Sequence, residues 1–262
     1  MIYIIIVLYN EKISSKFFRS IDEGRNIIIF LDNSTDMKIL NFNANFDIKD
    51  NIYIAFKKNI GLSKAYNIGI EYILDERKTT DDTWIVILDD DTYIDKQYIE
   101  NLNYAISTTN LNIISGIVRD QNDDILSPII LKTKKHYIKK IGIYNNIVCI
   151  NSGIAIRSSL FDKIKFDEDL FLDMIDYKFF HDLERLGENK VLIIDGVIKQ
   201  SFSGKDYRNY KSTLTRYSIY KKDFSLYCEK VGISIIWKYY ILFKRKLSII
   251  INFCIFNKGR KL

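Results

Sequence analysis

The chain has 262 residues, 47% apolar and 14% aromatic, with a formal net charge of +6 at pH 7. This composition excludes a disordered or low-complexity polypeptide, and the length suits one large α/β domain with an extension or two small domains. Cys149, Cys228 and Cys254 lack the spacing of a thiolate metal site or a disulfide framework, which points to a reducing compartment. His136 and His181 leave little material for a zinc centre or a histidine-based triad.

The first predicted element is a buried strand over Tyr3 to Leu8. No basic segment precedes it, so it does not read as a signal peptide, and a cytoplasmic protein is expected. A helix follows over Ile13 to Glu23, then strands over Ile27 to Leu31 and Ile52 to Phe56, a helix over Gly61 to Asp75, a strand over Trp84 to Leu88 and a helix from Asp95. Continuous apolar strands alternating with helices predict a parallel sheet covered on both faces, with ligands at the carboxyl ends of the strands. Four polar loops fall there: Tyr9-Asn10-Glu11, Asp32-Asn33-Ser34, Lys57-Lys58-Asn59 and Asp89-Asp90-Asp91.

The second half changes character. Ile113 to Val118, Ile125 to Leu131, Tyr137 to Ile143 and Ile147 to Ile156 read as strands with few helices between them, predicting a mixed extension of the sheet. A helix is expected over Phe171 to Leu186, stopped by Gly187, and a strand over Val191 to Ile194. From about Tyr207 onward the chain reads as helical. The expected division is a nucleotide-binding domain over residues 1–205 and a helical extension over residues 206–262.

The aspartate triplet is the most informative feature. Alternation along an extended chain aims Asp89 and Asp91 the same way, and like charges held close raise each other's pKa unless a cation neutralises them. Hard oxygen ligands suit Mg2+ or Mn2+, ions that also hold phosphates. A solvated turn after a strand explains the same residues without any chemistry.

Charge is unevenly distributed. Residues 205–262 carry 14 Lys and Arg against 3 Asp and Glu, a net +11, whereas residues 1–204 carry 25 against 30, a net −5. A basic tail calls for an anionic partner. The segment Val231 to Phe256 interleaves Trp237, Tyr239, Tyr240, Phe243 and Phe253 with Lys238, Lys244, Arg245 and Lys246. That pattern favours an interfacial helix on an anionic membrane surface over nucleic acid, although a dimer interface is also compatible with it. The uncharged run from Leu247 to Asn257 is too short for a span of ~20 residues.

Taken together these segments resemble the inverting family 2 glycosyltransferases of GT-A fold, most closely the branch containing rhamnosyltransferases and related bacterial enzymes of polysaccharide biosynthesis, such as capsule or O-antigen. The resemblance covers roughly residues 1–205. Val7-Leu8-Tyr9-Asn10 is similar to the family's first nucleotide-contacting loop, and Leu31-Asp32-Asn33-Ser34 to the segment whose acid hydrogen-bonds the pyrimidine. Asn59 to Asn67, with Gly61 and Lys64, is similar to its N-x-G-x-x-x-A-x-N stretch, and Leu88-Asp89-Asp90-Asp91-Thr92 to its D-x-D motif. Asn151-Ser152-Gly153 and Phe171-Leu172-Asp173-Met174-Ile175-Asp176 resemble the acceptor-side segment and the run near the catalytic base.

The resemblance implies a metal at Asp91 with Asp89 toward the ribose and Asp90 beside the nucleotide, and Asp176 as general base with Asp173 as the next choice. Asp173 and Asp176 are i and i+3 on the expected helix and share a face, so one could hold the acceptor while the other takes its proton; an acidic first turn serving only the helix macrodipole is the alternative. Two departures stand out. Gln200 occupies the place of a histidine metal ligand, and Lys178 stands where relatives tend to carry an acid. The expected activity is transfer from dTDP-rhamnose or a UDP-hexose to a lipid-linked or polysaccharide acceptor at the inner face of the cell membrane. A sugar nucleotidyltransferase and a catalytically inert membrane-binding module are the rival readings.

Overall fold

The computed structural model describes residues 1–14, 26–76, 83–131, 135–201 and 210–259. Its centre is an eight-stranded mixed sheet. Strands β1 (Ile2–Leu8), β2 (Asn26–Asp32), β3 (Ile52–Ala55) and β4 (Trp84–Asp89) form the parallel half. Strands β6 (Ile113–Ser115), β11 (Gly142–Asn145), β13 (Ile154–Arg157) and β14 (Lys190–Ile193) extend it, in the order β11-β14-β6-β13-β4-β1-β2-β3. The mixed extension enters through β13, which runs antiparallel to both β4 and β6.

Alternation along β1 divides the core between the two faces. Tyr3, Ile5 and Val7 join one apolar cluster with Ala65 and Tyr66 of α2 (Leu62–Glu76). Ile2, Ile4, Ile6 and Leu8 join the other with Tyr98, Ile99 and Leu102 of α3 (Lys96–Thr108). Period-two burial on both faces is what a continuous Ile-rich strand requires of a covered parallel sheet. Registers are nearly flush at the carboxyl edge: Leu8 pairs with Asp32, Val7 with Asp89 and Asp32 with Ala55. The four polar loops therefore leave the sheet along one rim.

Two smaller sheets complete the body, β5 (Thr92–Ile94) with β15 (Ile198–Gln200), β7 (Val118–Arg119) and β8 (Ile125–Ser127), and β9 (Ile129–Leu131) with β10 (Lys135–Tyr137) and β12 (Ile147–Val148). Several expected strands are thus broken. The run Ile147 to Ile156 divides into β12 and β13 around Asn151–Gly153, because a turn there returns the chain antiparallel onto β4. Helix α1 (Met37–Ala44), capped by Asp36 accepting from the Lys38 N–H at 2.8 Å, was not anticipated. The helix expected over Ile13 to Glu23 falls almost wholly on residues 15–25, outside the described residues.

Helix α4 spans Ile175–Arg185, four residues later than the pattern predicts, because Met174 adopts a left-handed φ of 62° and holds Phe171 to Asp173 outside the helix. Asp173 and Asp176 therefore do not share a helical face. Helices α5 (Tyr210–Val231) and α6 (Ile235–Gly259) form the C-terminal part. Tyr220, Phe224, Tyr227 and Cys228 of α5 and Leu242 of α6 belong to the same buried cluster as β1 and α2. No described helix is long and apolar enough to cross a membrane.

Candidate active site

Asp89 is the last residue of β4, and its surroundings come from distant parts of the chain. Its backbone N–H donates to Ser152 Oγ at 3.0 Å, Tyr66 Oη donates to its Oδ1 at 3.1 Å and Gln200 Nε2 donates to its Oδ2 at 2.6 Å. Gln200 arrives because β15 lies antiparallel to β5 with Gln200 opposite Thr92. Ser152 also shares a 2.5 Å hydrogen bond with Thr92 Oγ1, so the acceptor-side segment and the aspartate turn are one hydrogen-bonded unit. Burial, then the charges of Asp91 and Asp90, push the Asp89 carboxyl up to about 7, against the opposing hydrogen bonds of Tyr66 and Gln200.

That upward shift shows how the donor set would receive a cation. A cation held by Asp89 and Asp91 would offset both the burial and the like-charge repulsion that raise the pKa, and two carboxylates with the Gln200 amide oxygen are hard ligands suited to Mg2+ or Mn2+. Among the described residues no group of three or more His, Cys, Asp or Glu side chains is placed to hold a metal ion. An ion held here would complete its shell with water or phosphate oxygens, as Mg2+ commonly does.

Asp90 turns the other way. Its Oδ2 accepts from the Tyr9 N–H at 2.9 Å, tying the β1 loop to the β4 turn and leaving the Tyr9 side chain 52% exposed at the rim. Asn10, at φ 55°, accepts the Thr35 and Asp36 N–H groups on Oδ1 and donates its own N–H to Ser34 Oγ. The adjacent Asp32 is fully buried. Its Oδ1 accepts from the Ser34 N–H, and its Oδ2 accepts from Asn43 Nδ2 and Tyr53 Oη, each at 2.8 Å. This carboxylate, assigned to a pyrimidine edge by resemblance, is held by the protein itself.

The asparagines of the second and third motifs are also joints. Asn33 donates Nδ2 to the Gly61 carbonyl and accepts from the Ile60 N–H, and Asn59 Oδ1 accepts from the Gly61 N–H. Asn67, 3% exposed, donates to the Phe166 carbonyl and Glu168 Oε1 while its Oδ1 accepts from the Phe166 N–H. Gly61 has φ +89°, and a Cβ there would stand 2.7 Å from Phe171 Cδ2 and 2.9 Å from the Phe171 carbonyl oxygen. Next to it the first N–H of α2, on Leu62, donates to that carbonyl at 2.7 Å. Lys64 is exposed in the same turn, and its charge helps lower the pKa of Asp169 after the larger effect of Lys230.

The segment leading into α4 meets α2 at Phe171, whose carbonyl accepts from the Leu62 N–H, and at Phe166, which is bonded to Asn67. Tyr66 connects α4 with the aspartate turn: its buried phenol is raised well above its ordinary pKa by burial first, then by Asp89, with Asp176 and Asp90 adding to the effect. Asp89 and Asp176 are thus both within electrostatic reach of one phenol. Asp176 sits in the first turn of α4, where its Oδ1 accepts the Tyr177 N–H at 2.9 Å.

Asp173 has a different setting. Arg216 of α5 grips it with both guanidinium ends, the Nη2 to Oδ1 contact at 2.8 Å. Asp223 of α5, itself fully buried, accepts the Leu172 and Asp173 N–H groups on Oδ2 at 2.8 and 2.9 Å. Lys230, farther along α5, donates to Asp167 and Asp169. Lys178 pairs with Asp182 at 2.5 Å, with Asp167 at 3.8 Å.

Sequence reasoning missed Tyr66, which occupies an unspecified position of its own motif, and Arg216, Asp223 and Lys230, which lie in the segment read as a tail. Their spacing along α5, each seven positions after the last, is a local signal that could have shown three charged residues on a single helix face. Asn151 and Ser152 are buried at 9% and 1% exposure, and Gly153, at φ +85°, donates its N–H to the Ile87 carbonyl while its own carbonyl accepts from Tyr98 Oη.

The dTDP-rhamnosyl transferase RfbF of Shigella flexneri is 27% identical over 184 residues, 67% of this chain and 60% of that protein, so the chain spans less than two thirds of this relative. Among solved structures, GalNAc-T7 with UDP, GalNAc and Mn2+ superposes with a TM-score of 0.57 at 13% identity, over 81% of this chain and 46% of that one. S. aureus TarS gives 0.56 at 15% identity, over 86% and 39%. These likenesses identify the mixed sheet and its flanking helices as a GT-A fold. The model of glycosyl transferase family 2 matches residues 3–165, well over half of the sequence, and the chain belongs to that family.

Proposed function

We propose that this protein is an inverting glycosyltransferase that moves one sugar from a nucleotide-diphosphate donor to a hydroxyl of a lipid-linked oligosaccharide or polysaccharide. dTDP-rhamnose is the favoured donor and a UDP-hexose the alternative, on the likeness to the rhamnosyl transferase. The observation that supports the reading most is the hydrogen bond from the Tyr66 phenol to Asp89, with Asp176 near enough for its charge to act on the same phenol. One carboxylate would serve the diphosphate side and the other the acceptor side, as in-line displacement at an anomeric carbon requires.

In this reading Asp176 accepts the proton of the acceptor hydroxyl as its oxygen bonds to the anomeric carbon, while the bond to the diphosphate oxygen breaks and that electron pair leaves with the nucleotide. Asp89, Asp91 and Gln200 would hold Mg2+ or Mn2+, which when bound stabilises charge on the departing diphosphate. Tyr66 and Gln200 keep Asp89 oriented. Tyr9, Asn10, Lys64 and the rim around Asp32 and Asn59 would border the nucleotide, and Asn151 to Gly153 the acceptor. A lipid-linked acceptor places the enzyme on the inner face of the cell membrane, with the basic helices toward anionic lipid.

A thermal-shift panel of dTDP- and UDP-sugars with Mn2+, followed by detection of released nucleotide, tests the proposal. Stabilisation by one donor and release of its nucleoside diphosphate is expected. Release of pyrophosphate would assign a nucleotidyltransferase instead, and the absence of any donor binding would leave an inert module.

A further inference from the structure

Helix α6 presents an apolar face to solvent. Ile236, Tyr240, Phe243, Leu247, Ile250 and Cys254 recur three and four residues apart and are all exposed, Ile236 at 80% and Phe243 at 67%. The opposite face carries Leu242 and Ile249, both buried, with Arg245 between them laid over the Tyr220 ring of α5 at 3.5 Å. Tyr217 Oη of α5 donates to the Leu242 carbonyl at 2.9 Å and fixes the helix in that orientation. The outward stripe is therefore a consequence of how α6 is mounted.

Charge identifies the occupant. Helical periodicity sets exposed Lys244 and Lys246 on either shoulder of the stripe, and α6 includes five Lys or Arg and no Asp or Glu. A second copy of this chain packed across a two-fold axis would bring those lysines against their own counterparts. An anionic bilayer meets both features at once, taking the apolar stripe among the acyl chains and the lysines among the headgroups. We infer that the outward face of α6 is a bilayer-docking surface, with Phe243 and Leu247 at its centre and Lys244 and Lys246 contacting anionic lipid. The face lies on α6 and not in the transfer site, so vesicle binding and donor turnover can fail separately. Because α5, which carries α6, also holds the loop before Asp176 through Arg216 and Asp223, docking would fix that loop relative to the lipid surface.

Flotation of the full chain on vesicles of phosphatidylcholine alone, and of phosphatidylcholine mixed equally with phosphatidylglycerol, tests this. Recovery with the mixed vesicles and little with phosphatidylcholine is expected. Lys244→Gln with Lys246→Gln should lower partitioning roughly 30-fold, at about fivefold per lysine near an anionic surface. Phe243→Asp with Leu247→Asp should abolish recovery while leaving the thermal transition unchanged. Cys254 is exposed whereas Cys149 and Cys228 are buried, so a polarity-sensitive fluorophore at Cys254 should shift to the blue on mixed vesicles. Equal recovery with the two vesicle types, or a blue shift that follows protein concentration without vesicles as a dimer forms in sedimentation, would overturn the inference.

Discussion

Asp223 offers the clearest perturbation of the architecture around Asp176. Its Oδ2 is the acceptor for two backbone N–H groups, at Leu172 and Asp173, while its Oδ1 is buried with no hydrogen-bond partner among the described residues. Asp223→Ala leaves two partly buried donors to find other partners, at about 1–3 kcal/mol each, and relieves the cost of a buried carboxylate. The net expectation is a loss of about 3 kcal/mol. Asp223→Asn keeps an oxygen facing both donors but puts an NH2 group in the buried Oδ1 position, so it should cost less than the alanine variant, about 1–2 kcal/mol. Urea unfolding followed by circular dichroism gives both values, and the alanine variant should melt several degrees lower, at about 2–4 °C per kcal/mol for a chain of this size. Equal and large losses in the two variants would refute the acceptor argument, because they would show that the negative charge rather than the oxygen position holds the loop.

Gly61→Ala should destabilise by about 3 kcal/mol, combining a left-handed backbone with a methyl 2.9 Å from the Phe171 carbonyl; a change under about 1 kcal/mol in urea would contradict that packing. Metal-free protein should lose stability as pH rises from about 4 to about 7. Asp89 is raised to about 7 from an ordinary 3.8, so the folded state binds the proton more tightly and the neutral form is the favoured one. The loss is on the order of 4 kcal/mol at about 1.36 kcal/mol per pKa unit, and Asp89→Asn should flatten the profile. A pH-independent difference between wild type and Asp89→Asn would count against the crowded carboxylates.

The parallel half of the sheet was legible because β-branched runs such as Ile2 to Val7 bury both faces and leave no alternative period. The convergence of four loops followed from that topology. The second half was less legible, since strands of two to four residues such as β12 and β13 merge into one apolar run until tertiary pairing separates them. At the site, Asp89 and Gln200 meet because β15 pairs with β5, a contact between residues 111 positions apart. Asp173 and Asp176 were read as helical neighbours, whereas the left-handed Met174 ends that relation. Asn33 and Asn67 fit a binding motif equally well as joints, because an amide satisfies backbone groups and ligands with the same atoms.

In the proposed reaction Asp176, rather than its neighbour Asp173, takes the acceptor proton. Single-turnover transfer by Asp176→Asn and Asp173→Asn, with donor affinity measured in parallel, separates the two. The account predicts that Asp176→Asn loses about 10²–10⁴-fold in rate with donor affinity retained, whereas Asp173→Asn lowers stability by about 1 kcal/mol through its Arg216 pair and keeps most of the rate. Transfer at near wild-type rate by Asp176→Asn would contradict it.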